Sequence, residues 1–114
     1  MIMKCYHALY FTRSLASRKE EILKKIKKRK WQFETYLIVL AKNSKNHLEI
    51  FHSALLLQKL ISDKELFLVG IADGYEEAVE LVEKIVQEVY DENGNTDIRN
   101  YILNKQEEYE KGDV

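Results

Sequence analysis

The segment from Glu65 to Gly94 constrains this chain more than any other. Leu66-Phe67-Leu68-Val69-Gly70-Ile71-Ala72 is apolar at odd and even positions alike. A strand of that kind needs cover on both faces, so it lies inside a sheet with other elements on either side. Asp73-Gly74 reads as a tight turn, with Asp73 and Glu76 at capping-box spacing. A helix follows from Tyr75 to about Tyr90, carrying Ala78, Leu81, Val82, Ile85, Val86 and Val89 as one apolar stripe, and Asn93-Gly94 stops it. Strand, turn and helix in this order define an α/β protein.

The remaining elements fit that class. Cys5–Thr12 reads as a strand, with Cys5, His7, Leu9 and Phe11 on one face and Tyr6, Ala8, Tyr10 and Thr12 on the other. Ser14 or Ser17 caps a helix that ends near Lys30, and Ser17 with Glu20 matches a capping box. Thr35–Lys42 is apolar on both faces, a second central strand. Leu48–His52 reads as an edge strand, with Ser53 capping a short helix over Ala54–Ile61; one helix over the whole stretch is the competing reading. Asn95-Thr96-Asp97 caps a last helix with Ile98, Tyr101 and Ile102 turned inward. The expected architecture is a single α/β domain over 1–105 with a mixed three- or four-stranded sheet flanked by helices, then a polar tail over 106–114. A ferredoxin-like βαββαβ arrangement followed by C-terminal helices uses the same elements and differs in strand order. There is no proline and there are only four glycines, which argues for short loops and no flexible tether.

Composition removes several function classes. The 114 residues suit one core, and 46% hydrophobic with 32% charged is ordinary for a soluble domain. The net charge of −1 provides no global field for nucleic acid or membrane. No apolar run approaches the ~20 residues of a membrane span. The first residues lack a signal peptide's charged and apolar regions, and the single Cys5 excludes an internal disulfide; a cytoplasmic location is expected. No metal site or cofactor is expected. His47 and His52 are five apart, a poor match to a helical ligand pair, and Cys5 with His7 on one strand face fits packing better than a thiolate pair. Gly70-Ile-Ala-Asp-Gly74 resembles a phosphate turn in outline. Ala72 stands where the second glycine belongs, however, and Asp73, Glu76 and Glu77 repel phosphate.

Two helices carry opposite charge. Arg18, Lys19, Lys24, Lys25, Lys27, Lys28, Arg29 and Lys30 face only Glu20 and Glu21, and Trp31 follows. A solvated helix whose cations suit its C-terminal dipole explains this stretch. A nucleic-acid surface over 18–31, using Lys24, Lys27, Lys28 and Trp31, is the alternative. From Asp73 to Glu92 there are eight carboxylates and one lysine, Lys84. Solubility is the plain reading of that acidic face; on the same face of the sheet the two helices attract, and on opposite faces they make the molecule a dipole, a shape suited to self-association. Seven tyrosines supply either core contacts or a partner surface.

Val69-Gly-Ile-Ala-Asp-Gly-Tyr-Glu-Glu-Ala-Val-Glu-Leu-Val-Glu and Thr96-Asp-Ile-Arg-Asn-Tyr-Ile resemble segments of small bacterial α/β proteins of this length, chiefly over 66–102. That resemblance implies a fold and no activity. The expected function is interaction without catalysis, as a homo-oligomer or with a protein partner. The competing expectation is a small-molecule site or enzyme at the carboxyl ends of parallel strands, where Thr12, Arg13, Lys42, Asn43 and Asp73 converge; Arg99 either points into that site or pairs with an acidic residue of the preceding helix.

Overall fold

A computed structural model describes residues 2–28, 34–40, 48–57 and 65–112. Four strands form one mixed sheet: β1 (Ile2–Phe11), β2 (Thr35–Leu40), β3 (Leu48–His52) and β4 (Glu65–Asp73). Their spatial order is β1-β4-β2-β3. The helices are α1 (Lys19–Lys27), α2 (Tyr75–Asn93) and α3 (Ile98–Glu110), with 3-10 turns at Arg13–Arg18 and Ser53–Leu57. A mixed four-stranded sheet flanked by helices is therefore the fold. In a ferredoxin-like sheet the first and third strands pair at the centre. Here β1 and β3 are the two edges.

The two apolar-on-both-faces strands sit where that pattern demands, side by side in the middle. Leu66, Leu68 and Ile71 of β4 join Leu37 and Val39 of β2 against Leu15, Ile22 and Ile26 of the first 3-10 turn and α1. Val69 and Ala72 join Ile38 and Leu40 against Ala78, Leu81, Ile85 and Val89 of α2 and Ile98, Tyr101 and Ile102 of α3. The sheet is thus the middle layer of three. β4 changes phase at one point: Leu68 pairs with Val39 but Gly70 with Ile38, so Val69 is an extra, bulged residue.

Strand direction departs from expectation. β1 runs parallel to β4, whereas β2 runs antiparallel to β4 and to β3. The three strands were expected to end together at Thr12, Lys42 and Asp73. Instead Thr35, the first residue of β2, pairs with Asp73. β2 leaves at the opposite end with Leu40.

Caps also differ in detail. Residues 13–18 form a 3-10 helix that buries Leu15, and α1 starts at Lys19 without a side-chain cap, so the Ser17–Glu20 box does not form. Gly74, at φ 94° and ψ 155°, caps α2 in place of Asp73. At the other end of α2, Gly94 adopts φ 73° and its N–H donates to the Tyr90 carbonyl at 2.8 Å, the helix stop expected at Asn93-Gly94. Asp97 caps α3, accepting the Asn100 N–H at 3.3 Å. After β3, the His52 Nδ1 accepts the Ala54 N–H at 2.9 Å, and Ser53 is buried. Residues 106–110, expected to begin a polar tail, continue α3 as helix.

Candidate functional site

The carboxyl ends of β1 and β4 meet in a dense polar junction. The Thr12 N–H donates to the Ile71 carbonyl at 3.2 Å, and the Asp73 N–H donates to Thr12 Oγ1 at 3.1 Å. The Gly74 N–H donates to the Glu34 carbonyl at 2.7 Å, which ties the start of β2 to the same place. The Ser14 hydroxyl lies 3.2 Å from Asp73 Oδ2 and 3.3 Å from Glu77 Oε1, sharing one proton between two carboxylates. Beside this junction an open groove of about 250 Å³ is lined by Phe11, Thr12, Arg13, Glu77, Glu80, Leu81 and Lys84. Its two cations and two carboxylates balance one another.

Of the five residues expected to converge, Thr12, Arg13 and Asp73 reach this end of the sheet. Arg99 does not. It lies in the first turn of α3, beyond a helix of 19 residues that begins next to Asp73 and spans about 28 Å. Lys42, Asn43 and Trp31 lie outside the described residues, and β2 heads away from Asp73 before reaching 42. The cleft imagined at three parallel carboxyl ends therefore fails on strand direction. Glu34 and Ser14 were missed as neighbours of the Asp73-Gly74 turn, because only the antiparallel placement of β2 and the docking of the first 3-10 turn bring them there. Among the described residues no group of three or more metal-ligating side chains occurs.

A second set of polar contacts ties β1 to α2 and α2 to α3. The Tyr10 hydroxyl donates to Glu88 Oε2 at 2.8 Å, and the Tyr101 hydroxyl donates to Glu92 Oε2 at 2.6 Å. Tyr6 stacks on Tyr10 with ring centres 6.2 Å apart. Burial first, and then the hydrogen-bonded glutamates, push the phenols of Tyr10 and Tyr101 well above their ordinary value. Both are protonated fasteners: Tyr10 ties β1 to α2, and Tyr101 ties α3 to α2. They supply neither a nucleophile nor a base near neutral pH.

The sheet's two edges are treated differently. Along β1 the pairing is irregular: Cys5 sits opposite Leu68 but Tyr10 opposite Gly70. In the gap the His7 N–H donates to Gln106 Oε1 of α3 at 2.7 Å, and Tyr109 stacks on the His7 ring at 4.5 Å. A bulge and a helix blunt that edge. β3 has five consecutive register pairs with β2 and no bulge. Leu48, Ile50, Phe51 and His52 are half-buried, and Glu49 is the only charge. Among the described residues no strand pairs with the outer side of β3.

No known protein family, curated protein or solved structure matches this chain. The likeness of 66–102 to small bacterial proteins accordingly attaches no family to it. Among the described residues no helix is long and apolar enough to cross a membrane.

Proposed function

We propose that this protein acts by interaction, as a homodimer that pairs through the outer edge of β3. The observation that supports this is the contrast between the edges: β1 is bulged and covered by α3, whereas β3 is regular, carries apolar side chains on each face with Glu49 as its one charge, and is open among the described residues. An edge of that kind templates another strand.

The strand is compatible with itself. Antiparallel pairing about Ile50 sets Ile50 against its own copy, Glu49 against Phe51 and Leu48 against His52. No like charges stand opposite one another. The product is one continuous sheet, which removes β3 as an edge in both copies.

Hydrogen exchange tests the pairing surface directly. Amides of 48–52 gain protection as protein concentration rises, while those of β1 do not change. Equal exchange across 48–52 in dilute and concentrated samples contradicts the proposal.

A further inference from the structure

We infer that the layer formed by the 3-10 turn Arg13–Arg18 and α1 is a docking surface for the phosphate backbone of a nucleic acid, bound without reading bases. The near-zero charge of the whole chain hides this layer. From Arg18 to Lys28 stand six described cations, Arg18, Lys19, Lys24, Lys25, Lys27 and Lys28, against Glu20 and Glu21. The acid-rich α2 packs on the other face of the sheet, with Glu76, Glu77, Glu80, Glu83, Glu88, Asp91 and Glu92 against Lys84. The molecule is therefore two-faced in charge, and an approaching polyanion meets one sign on one side.

The cations are placed for contact. Arg18, Lys19, Lys24, Lys27 and Lys28 are exposed, while Lys25 is tied to Glu21 at 3.1 Å. Lys24, Lys27 and Lys28 stand at i, i+3 and i+4, on the side of α1 away from the buried Ile22 and Ile26. Among the described residues no carboxylate pairs with these three. Among the described residues, the large apolar side chains that stand exposed, Tyr75, Tyr90, Leu103 and Tyr109, all lie on α2 or α3. A membrane-lying surface needs large exposed apolar residues beside its cations, and among the described residues this layer offers only the half-buried Leu23 and, beneath Lys19, the half-buried Phe11. That favours phosphate backbone over lipid.

The layer is complete on one protomer, and only its duplication rests on the β3 pairing proposed above. Antiparallel edge pairing has its two-fold axis normal to the sheet. Both α1 layers then lie on one face of the dimer and both α2 layers on the other.

The test is fluorescence anisotropy with a labelled mixed-sequence single-stranded DNA oligonucleotide. Binding is indifferent to sequence. With four phosphate contacts from Arg18, Lys24, Lys27 and Lys28, affinity falls about 50-fold between 50 and 200 mM salt. The variant K24E/K27E/K28E loses binding while keeping its circular dichroism. Glu83→Lys, on the acidic layer, leaves binding unchanged. No binding at low salt, wild-type binding by the triple variant, or uptake by phosphatidylserine vesicles in place of DNA overturns the inference. A monomeric chain that binds with this salt dependence leaves the surface standing and removes only its duplication.

Discussion

Gly74 sits at φ 94° and ψ 155°, a backbone region essentially closed to side chains. A Cβ added there would meet nothing within 4 Å, so any cost of substitution is conformational. Gly74→Ala should lower stability by about 2 kcal/mol in chemical denaturation, from backbone strain alone. Its hydrogen-bond partner Glu34 also has positive φ, 61°. Two unusual residues thus hold the junction of β2, β4 and α2. The tyrosine fasteners supply a pH signature. Tyr10 and Tyr101 have folded-state values raised above the ordinary value near 10 by burial and by their glutamates. Their contribution is complete below that ordinary value and is lost as pH climbs from there toward the folded-state values. Melting temperature should drop above pH about 10, and the drop should be shallower in Tyr10→Phe/Tyr101→Phe. An equally steep drop in that double variant contradicts the assignment.

Among elements, the sheet edges were the least legible in the sequence. β2 and β4 announce themselves because Leu37 to Leu40 and Leu66 to Ala72 are apolar at every position. That same uniformity conceals direction and register, since a strand without alternation fits either way round. The expected site at three parallel carboxyl ends depended on direction and failed there. Residues 106–110 were read as a tail because they are polar, yet the contact that holds them is itself polar: Gln106 takes the N–H of His7 that a neighbouring strand would otherwise take. Periodicity of apolar residues carries no trace of such a contact. Gln106→Ala together with Tyr109→Ala should destabilise the chain by about 1 kcal/mol and speed exchange of the β1 amides near His7. Unchanged exchange there would mean that α3 does not guard the edge. Edge β3 was legible only as the preferred of two readings, because Phe51, Ala54, Leu55 and Gln58 also share a helix face; the structure gives the strand Leu48–His52.

At the scale of the whole molecule, charge was legible helix by helix but not layer by layer. The counts in Arg13–Lys30 and Asp73–Glu92 are plain in the sequence, while the face each helix takes follows from which apolar residues it buries. With α1 on one side and α2 on the other, the fields add to a dipole across the sheet. Pairing through β3 keeps the dipoles side by side and pointing the same way, an arrangement opposed weakly by their repulsion and screened by salt. Dimerisation should accordingly strengthen modestly as salt rises, the reverse of the salt response of the basic layer. The most direct test of the account is sedimentation of the wild-type chain across micromolar concentrations, alongside Ile50→Lys, which puts a charge at the centre of the pairing edge. The account predicts a mass that approaches twice 13.5 kDa for wild type and stays at 13.5 kDa for a folded Ile50→Lys chain. A wild-type mass of 13.5 kDa at every concentration would contradict it.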